Sequence, residues 1–123
     1  MTSEPIRKVR NIKNLKDMLE QSADLFGDRD AFWLKTKEDK YEGVKYSEFK
    51  NEVDAMGTAL LKLGLKDKYI AVIGENRYEW CVTYLSVVNG TGIIVPLDRE
   101  LPASEIENLL ARSDTSAVVF SGK

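Results

Sequence analysis

The sequence predicts an α/β fold, in which a helix and a β-hairpin precede a parallel-sheet βαβαβ unit. Three short apolar runs rich in valine and isoleucine support this prediction, and they are YIAVIG (69–74), GIIVPL (92–97) and SAVVFS (116–121). Runs of this kind are typical of strands that are covered on both faces. Helical stretches separate them, at about 77–89 and 103–112. This alternation predicts two right-handed crossover units with three central, parallel strands.

The first half of the chain predicts a helix followed by a hairpin. Apolar residues recur at helical spacing between residues 15 and 26, with Asn11 or Asn14 as the possible N-cap and Gly27 as the end of the helix. The segments AFWLK and YEGVKY then flank the charged segment TKEDK. This layout is typical of a hairpin whose charged turn lies in solvent.

A second helix is predicted to begin at Ser47. Its inward face repeats at steps of three and four residues, and consists of Phe49, Val53, Met56, Leu60 and Leu63. We interpret Met56 as a core residue rather than a ligand contact. Gly64 suits a left-handed C-terminal cap, with Leu65 folding back toward the helix.

The stretch GENRYEWCVTYLSVVNGTG, residues 74–92, resembles a nucleotide-binding turn at first sight. A dinucleotide fingerprint, however, needs Gly-x-Gly-x-x-Gly between strand and helix, and here the turn holds only Gly74, followed by the anion Glu75. We interpret Asn76 as the N-cap of the next helix, paired with Glu79. Gly90 and Gly92 follow that helix and are expected to let the chain turn left-handed into the next strand.

Composition excludes several classes of function. The 123 residues have a net charge of −2, which argues against nucleic acid or an anionic membrane as the default partner. The chain has no histidine and one cysteine, Cys81, so an internal disulfide and a histidine-dependent triad are excluded. No leader and no membrane-spanning run is found, and a cytoplasmic location is expected.

The sequence also lacks a complete phosphate-binding loop and a magnesium-binding cluster. A Walker loop around the terminal SGK would need glycine at position 117, which is Ala117, and a hydroxyl residue after Lys123. Glu75 and Asp98 are separated by a whole crossover, so they do not form a Mg²⁺ cluster. The sequence therefore assigns no catalytic, cofactor-binding or metal residue.

Several segments together resemble the amino-terminal part of AMP-forming acyl-CoA synthetases, above all the fatty-acid CoA ligases of the adenylate-forming superfamily. The resemblance covers about residues 12–121 and rests on YSEF, LPASEI, AVVFS and especially ENRYEW followed by a helix and GIIVPLD. Five matching positions are interpreted as structural, and they are Asn76, Glu79, Trp80, Gly90 and Pro96.

The resemblance implies a two-step reaction for a parent enzyme. A fatty acid or other carboxylate attacks the α-phosphate of Mg-ATP to give an acyl-adenylate and pyrophosphate, and the CoA thiol then displaces AMP. In that family the phosphate loop, the adenine and ribose motifs and the catalytic lysine all lie downstream of the matching region. No functional residue is therefore carried over, and ATP, Mg²⁺ and CoA are implied for the parent enzyme only.

Two hypotheses of function follow. In the first, residues 1–123 are a single N-terminal subdomain of a larger AMP-binding synthetase, inactive alone, with the remainder of the enzyme as its partner and a surface open to self-association. In the second, the chain is a self-contained α/β binding or signalling module, such as a receiver-like domain. A receiver would need an acidic pair after its first parallel strand, and GENR supplies one acid.

Overall fold

A computed structural model describes residues 3–122 and confirms the α/β fold. The elements are α1 (Leu15–Phe26), β1 (Asp30–Lys35), β2 (Tyr41–Lys45), α2 (Tyr46–Lys62), β3 (Tyr69–Ile73), α3 (Tyr78–Val88), β4 (Ile93–Leu97), α4 (Ala103–Arg112) and β5 (Thr115–Phe120). Strands β1 and β2 form an antiparallel hairpin, as predicted. Strands β3, β4 and β5 form a parallel sheet in the order β4-β3-β5.

A hydrogen bond connects the start of the second helix to the end of the first, although the hairpin lies between them in the chain. Asn14, one of the two predicted candidates, caps α1, because its Oδ1 accepts a hydrogen bond from the Asp17 amide at 2.8 Å. Helix α2 begins at Tyr46, one residue before the predicted start. The Ser47 hydroxyl instead donates to the Gly27 carbonyl at 2.9 Å, which fastens the start of α2 to the end of α1.

The end of α2 forms the predicted left-handed cap. Gly64 has φ of +78°, and the Leu65 amide donates to the Leu60 carbonyl at 3.2 Å. The Gly64 amide donates to the Leu61 carbonyl at 3.0 Å, which completes a Schellman motif. Leu65 packs against the core next to Leu60, as the sequence predicts. The placement of Leu63 on the inward face is wrong, because the helix ends at Lys62 and Leu63, its C-cap residue, is 74% exposed.

The core consists of two apolar clusters. One joins α1, α2 and α3 to the hairpin, and its buried members are Leu19, Phe49, Val53 and Tyr78. The other lies between α2, α3 and the parallel sheet, and its buried members are Leu60, Ile70 and Val87. Met56 packs against this second cluster, in agreement with its interpretation as a core residue.

The prediction of three central strands covered on both faces is wrong for two of them. Strand β3 is central and buried, with Ile70 and Ala71 fully inaccessible. Strands β4 and β5 lie at the edges of the sheet that residues 3–122 form. Side chains alternate between the two faces of a strand, and β5 buries only one of its faces. On the other face, 71% of Phe120 is exposed.

Candidate functional site

The strand order places a crevice at the carboxyl edge of the parallel sheet. The chain leaves β3 toward β4, then returns past β3 to reach β5 on the other side. In open α/β sheets, ligands bind outside the carboxyl ends of the strands where the strand order reverses. A cavity of about 230 Å³ lies at this point, lined by the ends of β3 and β5 and the first turns of α3. This crevice is the candidate site.

An ion-pair cluster lies beside the crevice and connects two loops. The Glu75 carboxylate contacts Arg77 Nε at 2.7 Å and Arg99 Nη1 at 3.0 Å. Glu75 and Arg77 belong to the turn between β3 and α3, whereas Arg99 belongs to the loop after β4. Arg99 was not predicted from the sequence to lie here. Its signal was its position directly after a strand, because the carboxyl ends of parallel strands meet at one edge of the sheet.

The helix start next to the crevice differs from the prediction. The N-cap of α3 is Arg77, with φ of −124°, and no side chain caps this helix. The assignment of Asn76 as the N-cap is therefore wrong, because the helix begins one residue later than expected. The same shift places Glu79 at the second helical position, one residue too early for the capping pair proposed with Asn76.

Two of the three glycines singled out in the sequence are needed by the backbone. Gly90 has φ of +124°, which confirms its role in a turn of positive φ. Gly92 acts differently from the prediction, because a Cβ added there would lie 2.3 Å from the Lys68 carbonyl oxygen. Its function is a close approach of two chain segments rather than a left-handed turn. Gly74 lies at the crevice beside Ser121, whose amide donates to the Ile73 carbonyl.

Two other ionisable side chains lie near the start of α3. Burial raises the pKa of the half-buried Cys81 thiol, which favours the protonated form at neutral pH. Burial, followed by the Glu52 carboxylate, raises the pKa of Tyr78 above its ordinary value of 10.0. The Glu52 carboxylate is close enough to act on the Tyr78 hydroxyl, but the buried hydroxyl makes no hydrogen bond of good geometry to a described residue. Neither group therefore has the properties of an activated nucleophile.

The residues at the crevice do not fit a magnesium site. The separation of Glu75 from Asp98 by a crossover is not the reason, because Arg99, the neighbour of Asp98, contacts Glu75 at 3.0 Å. The reason is that the Glu75 carboxylate is already engaged by two guanidinium groups. Within residues 3–122, no three or more acidic or cysteine side chains are grouped so that they could hold a metal ion. In the same part of the chain, no helix has the length and apolar character needed to cross a membrane.

The fold described above is shared with N-terminal domains of larger proteins in solved structures. It is similar to the N-terminal domain of FACL13 from Mycobacterium tuberculosis, with a TM-score of 0.79 and 22% identity, over 90% of this chain and 27% of that one. It is also similar to the Klebsiella oxytoca NpsA N-terminal subdomain, with a TM-score of 0.73 and 19% identity, over 87% of this chain and 27% of that one.

The chain belongs to the family of AMP-binding enzymes, whose model matches residues 19–123. It is 28% identical over 117 residues to the human mitochondrial medium-chain acyl-CoA ligase ACSF2, covering 93% of this chain and 18% of that protein. It is 29% identical over 82 residues to long-chain-fatty-acid–CoA ligase 5 of Rattus norvegicus, covering 64% and 12%. The chain thus spans less than a fifth of the length of these relatives. Membership of this family favours the synthetase hypothesis over a receiver-like module.

Proposed function

We propose that residues 1–123 form a single N-terminal subdomain of a fatty-acid CoA ligase. The observation that carries the proposal is the family match over residues 19–123, together with relatives that are long-chain and medium-chain acyl-CoA ligases. The parent enzyme activates a fatty acid with Mg-ATP to an acyl-adenylate and transfers the acyl group to CoA. We also propose a cytoplasmic location, which the sequence alone led us to expect.

In this proposal the chain supplies scaffold and the rest of the enzyme supplies the reacting groups. The crevice of about 230 Å³ is smaller than the roughly 300–1,000 Å³ of ordinary ligand pockets. Among the described residues, Arg77 lines the crevice and Arg99 lies beside it, and both guanidinium groups contact Glu75. A bound nucleotide would have to compete for them. These properties support the proposal that the chain is inactive until the remainder of the enzyme completes the site.

Two assays on two lengths of polypeptide test the proposal. For the 123-residue chain, we expect no heat of Mg-ATP binding in calorimetry and no carboxylate-dependent exchange of labelled pyrophosphate into ATP. A polypeptide extended downstream to the length of the relatives should show that exchange with fatty acids and should form acyl-CoA.

The same assays define what would contradict the proposal. Long-chain, medium-chain and aromatic carboxylates should be compared side by side with the extended enzyme. Exchange by the 123-residue chain alone would show that the crevice is itself an adenylate site. An extended enzyme that accepts aromatic acids and no fatty acid would overturn the proposed substrate class.

A further inference from the structure

The C-cap residue of α3 is an asparagine, Asn89, and Gly90 follows it. The side-chain amide of an asparagine reacts with the backbone nitrogen of the next residue, unless a side chain on that residue obstructs the approach. The chain contains five other asparagines, and all of them precede larger residues, which are Ile12, Leu15, Glu52, Arg77 and Leu109. Because glycine has no side chain, Asn89 differs from the other asparagines in having an unobstructed neighbour.

The peptide group that joins Asn89 to Gly90 is free of hydrogen bonds, although the turn around it is fixed. The amides of Thr91 and Gly92 both donate to the Val87 carbonyl, at 3.2 and 3.0 Å. Among the described residues, neither the Asn89 carbonyl nor the Gly90 amide has a hydrogen-bond partner. This peptide group can therefore rotate without breaking a hydrogen bond of the turn.

The two reacting residues are also loosely held. The Asn89 Oδ1 atom is buried and has no hydrogen-bond partner among the described residues. Gly90 is exposed, has φ of +124°, and has nothing within 4 Å of the position that a Cβ would occupy. The ψ of Asn89 is 21°, which directs the Gly90 nitrogen away from the side chain. Rotation of the peptide group turns this nitrogen toward the side chain, and glycine tolerates the accompanying change of φ to negative values.

We propose that Asn89 is a site of spontaneous deamidation in the folded chain. The Gly90 nitrogen loses its proton to hydroxide and bonds to the Asn89 Cγ, while the Cγ–Nδ2 bond breaks and Nδ2 leaves as ammonia with a proton from water. Water then opens the five-membered imide. Breakage of its nitrogen–Cγ bond gives aspartate, and breakage of the bond from nitrogen to the backbone carbonyl carbon gives isoaspartate. The net reaction consumes one water and yields a carboxylate and an ammonium ion.

Either product disturbs the junction between α3 and β4. The new carboxylate lies at the C-terminal end of α3, where the helix dipole disfavours an anion. Position 89 is half-buried, so the charge is also incompletely solvated. Isoaspartate in addition lengthens the main chain by one carbon atom, next to the turn that holds Gly92 against the Lys68 carbonyl. We therefore expect the modified chain to be less stable, and this inference is independent of the proposed ligase activity.

Incubation of the 123-residue chain in ¹⁸O-labelled water at neutral pH, followed by peptide mapping, tests the proposal. We expect aspartate and isoaspartate at position 89, each with one ¹⁸O atom, while Asn14 and Asn108 in the same digest keep their amides. The rate in the folded chain should be within about tenfold of the rate in the urea-unfolded chain, because rotation of an unbonded peptide group costs little free energy. Gly90→Ala should slow the reaction at least about tenfold, since its Cβ obstructs the attack.

A matched pair of variants measures the effect of the new charge on stability. Asn89→Asp is one of the two products, and its urea midpoint should lie below that of the wild type. Asn51→Asp adds the same charge at an exposed position of α2 and should leave the midpoint unchanged.

Several outcomes would overturn the proposal. The first is folding that slows the reaction at position 89 by more than about tenfold, which would show that the turn holds the peptide group in place. The second is equal rates in the wild type and Gly90→Ala, and the third is equal loss of amide at Asn14, Asn89 and Asn108. Equal urea midpoints of Asn89→Asp and the wild type would overturn the predicted loosening of the junction.

Discussion

Single residues in the loop between α3 and β4 define how closely the chain segments pack. Gly92 lies against the Lys68 carbonyl, and the Ile93 amide donates to that same oxygen at 2.9 Å. A side chain at position 92 would therefore separate β4 from the segment that leads into β3. Gly90, by contrast, has open space around it and is constrained only by its positive φ. The two glycines should respond to substitution for different reasons.

We expect Gly92→Ala to destabilise the fold by about 1–3 kcal/mol, because its Cβ would overlap a carbonyl that is fixed by strand pairing. Gly90→Ala should cost about 1 kcal/mol through backbone strain alone. Gly122→Ala serves as the control, since nothing lies within 4 Å of its Cβ, and it should stay within about 0.5 kcal/mol of wild type. Urea midpoints give all three values. A neutral Gly92→Ala would show that the loop moves away at little cost.

The two asparagines proposed as helix caps should also behave differently. Asn14 accepts the Asp17 amide, so Asn14→Ala should cost about 1 kcal/mol of the free energy of unfolding. Asn76 lies one residue before the N-cap of α3, and Asn76→Ala should leave stability within about 0.5 kcal/mol of wild type. Thermal or urea denaturation of both variants makes the comparison. A larger loss for Asn76→Ala would restore it as a capping residue.

At the scale of elements, an aromatic cluster connects the hairpin to the helices. Phe32 of β1 contacts Phe49 of α2 edge-on, with ring centroids 4.8 Å apart, and Tyr78 of α3 at 5.0 Å. Such pairs contribute roughly 0.5–1.5 kcal/mol beyond the burial of their area. The cluster holds the two-stranded sheet on the helices, and the Tyr78 hydroxyl is its one polar atom. That hydroxyl is buried and makes no hydrogen bond of good geometry to a described residue.

Tyr78→Phe should therefore leave stability at pH 7 within about 1 kcal/mol of wild type, since the ring contacts remain and the hydroxyl that is removed makes no hydrogen bond of good geometry. The raised pKa of Tyr78 adds a pH dependence. The unfolded chain ionises first, so wild-type stability is intact below pH 10.0 and falls as the pH rises above it. The variant should lose less stability between pH 7 and pH 10.5, measured by urea unfolding. An equal alkaline loss in both proteins would contradict this assignment.

Most elements are predictable from the sequence because their signals are local. Hydrophobic spacing and caps defined α2 to within one residue, and α4 matches the predicted range. Features that depend on tertiary neighbours were not predictable. The apolar runs of β4 and β5 suggested burial on both faces, but burial depends on which layers cover them. The Glu75–Arg99 ion pair needs the strand order, because it joins residues 24 positions apart.

At the scale of the whole molecule, the two faces of the parallel sheet differ. Helices α2 and α3 cover one face around Ile70 and Val87. The opposite face is covered at Ala71 of β3, which is fully buried, but it is open along β5, where Val118 and Phe120 are 37% and 71% exposed. Within residues 3–122, β4 and β5 also leave both sheet edges unpaired. An apolar face next to open strand edges favours association with another polypeptide.

We therefore expect the 123-residue chain to self-associate through this face. Burial of Phe120 at such a contact contributes about 2 kcal/mol, so Phe120→Ser should raise the dissociation constant about 30-fold in sedimentation equilibrium. Leu63 is equally exposed, at 74%, but lies at the end of α2, and Leu63→Ser should leave association unchanged. A wild-type chain that stays monomeric over a wide concentration range would contradict the prediction. An equal effect of both substitutions would show that association does not use the open face of β5, because only general surface hydrophobicity would then matter.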